Sequence, residues 1–325
     1  MVISNTHLSA VVFLSVTFTT ILIEKMLVGT LGAKASQPIY EAGPSWHISK
    51  RGTPTMGGLA FLITILCSFF IASQILFHFE NEKQAVSILI SLLFCLGNAT
   101  IGLVDDLTKL RKKENAGLTP LQKLLFQFIF AILFLMARRH FLNDTTVIKS
   151  NLFVIDLGFI YYPLAIVLLL GIINCANLTD GVDGLASVVA LTIGAVFLFI
   201  GSQNTETSVV SSALMGGSAG FLLFNAYPAK IFMGDTGSLL LGAITATLAF
   251  SLGNPLIIIF IGGVYVIEGI SVILQVAIYK TTKKRIFKMA PIHHHLEKCG
   301  FSECRICAIA IITTLILSTF AILIF

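Results

Sequence analysis

Ten apolar stretches follow one another along this 325-residue chain, at residues 8–23, 56–77, 85–104, 121–137, 159–176, 185–200, 209–226, 238–252, 256–279 and 306–325. Most approach the length a helix needs to cross a bilayer. A lipid interior offers no water to backbone N–H and C=O groups, so such stretches form helices or a closed barrel. Runs near twenty residues, rather than alternating ten-residue segments, decide for helices. Composition agrees: 11% of residues are charged and 56% hydrophobic, against about 25% charged in a soluble domain. The expectation is an all-α polytopic membrane protein, a single integral membrane domain over residues 1–325 with about ten transmembrane helices.

The charges are distributed unevenly. Seventeen of the 21 Lys and Arg residues fall in alternate gaps, among them Lys50, Arg51, Lys109, Lys123, Lys230 and the cluster from Lys280 to Lys298. The positive-inside rule puts those gaps in the cytoplasm and both termini outside. No basic residue precedes the first stretch, and no small-residue cleavage site follows it, so it reads as an anchor and not a removed signal peptide. Cys67 and Cys95 lie within spans, and Cys175, Cys299, Cys304 and Cys307 lie at or near the reducing side, which argues against an external disulfide framework. Residues 145–157, β-branched around Lys149-Ser150-Asn151, suggest a small external β-hairpin.

Polar residues gather where the spans reach the cytoplasmic side. The third stretch delivers Asp105 and Asp106, with Lys109 three and four residues on, so all three can share a helix face. Thr119 is a plausible N-cap with Pro120 at N1, which sets Lys123 on the first turn of the fourth span. The fifth ends in Asn174, Asn177, Asp180, Gly181, Asp183 and Gly184, more polar groups than a tight turn needs. Between the seventh and eighth come Asn225, Phe232 and Gly234-Asp235-Thr236-Gly237-Ser238, able to cap a helix or hold an anion on backbone N–H groups. Glu268 and Gln275 share a face of the ninth, where Glu268 is expected to face the bundle interior in a structural hydrogen bond. Of His293, His294 and His295, at most two can converge on one centre, and their spacing to Cys299 matches no zinc knuckle.

Parity brings Asp105, Asp106, Asp180, Asp183 and Asp235 to one surface, with lysines and histidines. Converging carboxylates repel, and a divalent cation removes the conflict. Mg²⁺ fits best, because it takes one or two carboxylates and binds substrate phosphates. The pattern describes phosphoryl transfer with a nucleotide-diphosphate substrate at a membrane surface. An ion-coupled transporter would carry its acids at the midplane, and no inverted repeat is visible.

Six motifs carry a family resemblance over essentially the whole chain: Gly52-Thr53-Pro54-Thr55-Met56-Gly57-Gly58, Asp105-Asp106-Leu107-Thr108-Lys109, Asn115-Ala116-Gly117-Leu118-Thr119 with Gln122-Lys123, Asn177-Leu178-Thr179-Asp180-Gly181-Val182-Asp183-Gly184, Gly234-Asp235-Thr236-Gly237-Ser238 and Pro291-Ile292-His293-His294-His295-Leu296-Glu297-Lys298. The chain resembles the polyprenyl-phosphate N-acetylhexosamine-1-phosphate transferases. Within them the histidine motif and the Thr-Pro-Thr-Met segment point to the muramoyl-pentapeptide branch, against a sister enzyme using UDP-N-acetylglucosamine. Leu296 stands where an aromatic residue is usual.

The resemblance implies a Mg²⁺-dependent enzyme of the bacterial plasma membrane with its active site on the cytoplasmic side. It would join UDP-N-acetylmuramoyl-pentapeptide to undecaprenyl phosphate, release UMP and form lipid I in peptidoglycan synthesis. It implies a homodimer as well, and no nucleic-acid partner is expected. By matching position, Asp105, Asp106, Asp235, Lys123 and His294 are the catalytic candidates, with Asp235 and Asp106 toward the metal. Asp105 is the proposed base or nucleophile, and direct attack by the lipid phosphate is favoured over a covalent aspartyl intermediate. Lys50, Thr55, Lys109, Asn177, Asp180, Gly181, Asp183, Asn225, Phe232, Gln275, His293 and His295 are the substrate-binding candidates, Phe232 by stacking on uracil.

Overall fold

The computed structural model describes residues 5–31, 52–79, 81–112 and 117–325. Lys50, Arg51 and Asn115 lie outside the described residues. Among the described residues twelve α-helices and one hairpin run in the order α1 (Asn5–Leu31), α2 (Gly58–His78), α3 (Glu82–Lys112), α4 (Pro120–Ala137), β1 (Val147–Lys149), β2 (Val154–Asp156), α5 (Tyr161–Thr179), α6 (Leu185–Ile200), α7 (Thr205–Asn225), α8 (Gly234–Ser251), α9 (Ile258–Ile261), α10 (Gly263–Thr282), α11 (Ile292–Lys298) and α12 (Glu303–Ile324). Among the described residues eight helices are long and apolar enough to cross a membrane; α6, with 16 residues, and α8 are not among them. Nine of the ten apolar stretches each fall on a single helix. The protein is an all-α polytopic membrane protein.

The ninth stretch, 256–279, is not one helix. A 3₁₀ turn at Pro255–Ile257 leads into α9, and the chain breaks at Gly262 before α10 begins. Pro255 and the Gly262-Gly263 pair give the local reason, since both residue types interrupt regular helix. The expected hairpin is present, with Val147 opposite Asp156 and Lys149 opposite Val154. Ser150 N–H closes its turn on Phe153 O (2.8 Å).

Helix α8 is the hub, with every residue from Thr236 to Ser251 buried. Lipid touches little of it, so its residues need not be uniformly apolar, and small ones let neighbours approach backbone to backbone. A Cβ on Gly58 of α2 would lie 2.2 Å from Gly237 N, and one on Gly102 of α3 would lie 2.3 Å from Asp235 O. One on Gly242 would lie 2.6 Å from Ile173 Cα of α5. These close approaches fix the ends of α3 and α5 against the start of α8.

Hydrogen bonds sort the connections into two ends. Asn5 bonds Ser202 O and Gln203 O, Asn204 bonds Ser251 O, Asn254 bonds Lys149 O, and Asn151 N–H bonds Ile324 O. The hairpin, the α6–α7 and α8–α9 links, Asn5 and Ile324 therefore share one end. The acidic motifs share the other.

Candidate active site

Asp105 and Asp106 are adjacent on α3 and both fully buried, yet they serve different neighbours. Asp105 Oδ1 accepts the Leu118 N–H (2.7 Å) and faces Lys123 Nζ at 3.1 Å, while Oδ2 lies 2.6 Å from Lys109 Nζ. Lys123 is held there by α4's capping box: Thr119 Oγ1 accepts from Gln122 N, and Gln122 Oε1 accepts from Thr119 N. Pro120 occupies the first turn, so the expected cap and the expected place of Lys123 both hold.

Asp106 points the other way. Its Oδ1 accepts from Asp235 N (3.0 Å), and its Oδ2 accepts from Thr236 N (2.9 Å) and Thr236 Oγ1 (2.7 Å). The N-cap position of α8 is Met233, which supplies no side-chain bond. Capping by Asp235, Thr236 or Ser238 is therefore corrected: a carboxylate from another helix occupies the N–H groups of the first turn, where the helix dipole favours negative charge.

Asp235 completes the group. Its Oδ2 pairs with both Lys123 and Lys109, the latter at 3.3 Å. Its Oδ1 accepts from Asn177 Nδ2 (3.1 Å), which also reaches Ser238 Oγ (2.7 Å). Oxygens of the three aspartates lie within 4.8 Å of one another. Two unit negative charges at that separation repel by roughly 3.5 kcal/mol at an effective dielectric constant near 20. Three carboxylates face two ammonium groups, which leaves one surplus negative charge. The donors are all hard oxygens, so the group fits Mg²⁺ and not a soft metal. Asp235, with a side chain 17% exposed, is the open member of the three. Among the described residues no His or Cys group has metal-binding spacing.

The Asn177–Gly184 turn forms the next wall. Asp183 Oδ2 accepts from Ala229 N (2.9 Å), and its own N–H donates to Glu303 Oε2 (2.8 Å). Asn225 accepts from Gly184 N (3.0 Å) and donates to Ile231 O (2.9 Å). Both side chains are buried, so they brace the turn against the loop at 226–233. Phe232, half-buried, is fixed through its backbone to Pro54 O and Gly57 N, beside buried Thr55.

The three histidines part as expected. His293 Nδ1 lies 3.0 Å from Glu268 Oε2, and the imidazole packs on Gly181. His294 Nδ1 lies 2.6 Å from Glu297 Oε2, and His295 Nδ1 accepts from Lys288 N (3.1 Å). Glu268 is buried and hydrogen-bonded, as its place in an apolar run suggests. Gln275 accepts from Ile286 N and Phe287 N and donates to Phe287 O, so both ends of its amide hold the loop before α11. Thr236 and Leu118, which complete the aspartate bonding, lie within the quoted motifs but are not among the site candidates.

The comparisons with known proteins bear on this arrangement. Residues 86–253 match glycosyl transferase family 4, and residues 50–62 match the first phospho-N-acetylmuramoyl-pentapeptide-transferase signature. A phospho-N-acetylmuramoyl-pentapeptide-transferase of Halalkalibacterium halodurans is 45% identical over 276 residues, 84% of this chain and 83% of the relative. The chain belongs to the phospho-N-acetylmuramoyl-pentapeptide-transferases. Transferases of the same name from Clostridium botulinum (strain Alaska E43 / Type E3) and Bacillus subtilis (strain 168) are each 42% identical. They share 87% and 84% of this chain, and 86% and 84% of their own lengths. The matched region in this transferase runs from the start of α3 to the end of α8, and so contains all three aspartates and both lysines.

Proposed function

We propose that this transferase moves phospho-N-acetylmuramoyl-pentapeptide from its UDP derivative to undecaprenyl phosphate, releasing UMP and forming lipid I for peptidoglycan synthesis. The reaction takes place at the cytoplasmic face of the bacterial plasma membrane, the side assigned by the basic gaps. The observation that carries this reading is the pair of lysines bridging Asp105 and Asp235.

Each ammonium can exchange a carboxylate partner for a phosphate oxygen without crossing the pocket. Lys109 and Lys123 thereby hold the anionic groups of both substrates at one spot, where positioning and charge compensation supply most of the catalysis. An oxygen of the lipid phosphate attacks the phosphorus bonded to the sugar. The bond from that phosphorus to the UMP oxygen breaks, and UMP leaves with the electron pair. A phosphate monoester has its second pKa near 6, so both nucleophile and leaving group are largely dianionic at neutral pH. Asp105 then positions the lipid phosphate and takes a residual proton. Asp235 would hold Mg²⁺, which offsets charge on the diphosphate. Asp106, in the same group, has both oxygens engaged by α8's first turn and keeps Asp235 in place.

The test is UMP release by the purified protein with both substrates, with and without Mg²⁺, beside a panel of other UDP-sugars. Asp235→Asn is expected to lower turnover at least about 100-fold, the scale for removing one preorganised charge-stabilising group. Undiminished turnover overturns the assignment. Asp105→Asn is expected to recover as pH rises past about 6, where the lipid phosphate no longer needs a base. Loss at every pH would point to a nucleophilic or metal-holding Asp105.

A further inference from the structure

Glu268 is a carboxylate within a predominantly apolar helix, 3% exposed and distant in sequence from every acidic motif. Its Oε2 meets two nitrogens of one residue, the His293 backbone N at 3.4 Å and the ring Nδ1 at 3.0 Å. A carboxylate oxygen only accepts and a backbone N–H only donates, so with the carboxylate form the ring proton facing this oxygen sits on Nδ1. The bond also answers an N–H in the first turn of α11, where the capping residue Pro291 offers no side-chain acceptor. Opposite Glu268, His293 Nε2 is buried without a hydrogen-bond partner and aims at Gly181, where an added Cβ would lie 2.3 Å away. The imidazole thus spans from α10 to the Asn177–Gly184 turn.

The surroundings tighten this span. Gly269 packs on Cys175 of α5, where a Cβ would meet the sulfur at 2.2 Å, and Tyr265 donates to Ala186 O (3.2 Å) just past the turn. The His294 ring sits edge-on to His293, with ring centroids 4.2 Å apart. Stability gives little reason for such a pair, because buried ionic pairs are often matched or exceeded by well-packed apolar residues. What a carboxylate–imidazole pair supplies, and an apolar pair does not, is a fixed direction.

We propose that Glu268 is a positioning residue: acting through His293, it locks α11, which carries His294, to the Asn177–Gly184 turn, so the two walls move as one. Glu268 touches no substrate. The catalytic consequence rests on the reading above, in which His294 and the turn meet the donor; the mechanical coupling does not.

The full-length protein in detergent is compared as wild type, E268Q, E268M and E268M/H293L. Hydrogen–deuterium exchange is followed in peptides covering residues 177–184 and 289–298, together with kcat, both KM values and the thermal midpoint. E268M is expected to speed exchange in both segments at least about tenfold and to lower kcat about 100-fold, the scale of a displacement near 1 Å, with the lipid KM little changed. E268Q, which keeps an acceptor, recovers most of both. The apolar double variant recovers the thermal midpoint but not kcat. Unchanged exchange in the turn of E268M overturns the proposal, as does a double variant that regains kcat along with its midpoint. If the wild type transfers nothing while E268M still shows the paired exchange response, the coupling stands and the reaction reading falls instead.

Discussion

Among the described residues, two of the buried ionic clusters, one near each end of the bundle, are built on opposite plans. Near the hairpin, Arg138 is 4% exposed and Glu206 2%. The guanidinium reaches both Glu206 oxygens (3.0 and 3.3 Å), Asp144 Oδ2 (2.6 Å) and Phe250 O (2.9 Å). Ser87 and Ser91 of α3 donate to the same glutamate. Each Glu206 oxygen is answered, and the cluster ties α3, α4, α7 and α8 together. At the other end three carboxylates share two lysines, and Asp235, Lys109 and Lys123 keep side chains 17–18% exposed. The Arg138–Glu206 pair at the centre of the first cluster, shut from solvent with each oxygen answered, has nothing left to offer a ligand. At the other end Asp235 and both lysines themselves reach solvent, and that difference separates a brace from a site more clearly than the residue types.

The largest effect that could break this comparison is at the closed cluster. Arg138→Met leaves Glu206 buried without its charge partner, expected to cost about 3–5 kcal/mol. The thermal midpoint should fall while activity per folded molecule stays the same, and Arg138→Met with Glu206→Leu should recover most of the loss. If Arg138→Met abolished transfer without lowering the midpoint, the brace reading would fail. Lys123→Met sharpens the contrast from the other side: turnover falls about 100-fold, which corresponds to about 2.7 kcal/mol, with the midpoint nearly unmoved. A large loss of stability there would make the open cluster a second brace.

The smallest effect is at the hairpin. The Thr146 hydroxyl and the Gly158 N–H hold the exposed Asp156 carboxyl below the ordinary carboxylate range. A depressed folded-state pKa stabilises above the unfolded value, near 4, and that contribution disappears as pH falls through the folded value. Asp156→Asn should therefore shift the midpoint slightly at pH 7, by less as pH falls below about 4, and leave turnover untouched at any pH.

Much of the fold was legible because lipid enforces a simple code of apolar length. The ten stretches, the hairpin at 145–157 and the Thr119–Pro120 start of α4 all follow from local rules. The break at Gly262 was not legible, because apolar residues continue on both sides of it. Nor was the division of labour in the acidic motifs. Asp183 and Asn225, substrate-binding candidates in the sequence, also knit two loops together through their bonds to Ala229, Gly184 and Ile231. Gln275 similarly clasps the backbone near Phe287. The Arg138–Glu206 pair was not legible either, since nothing in sequence pairs two residues 68 positions apart.

By itself, the sequence determined that these helices cross a membrane and that the acids emerge on one side, because burial in lipid and the placement of basic residues act locally along the chain. Which carboxylate is open was decided by tertiary structure. Adjacent Asp105 and Asp106 differ because α8, brought close by Gly58, Gly102 and Gly237, presents its first-turn N–H groups to one and leaves the other to the lysines. That assignment depends on approach distances between remote helices, a quantity no local pattern encodes.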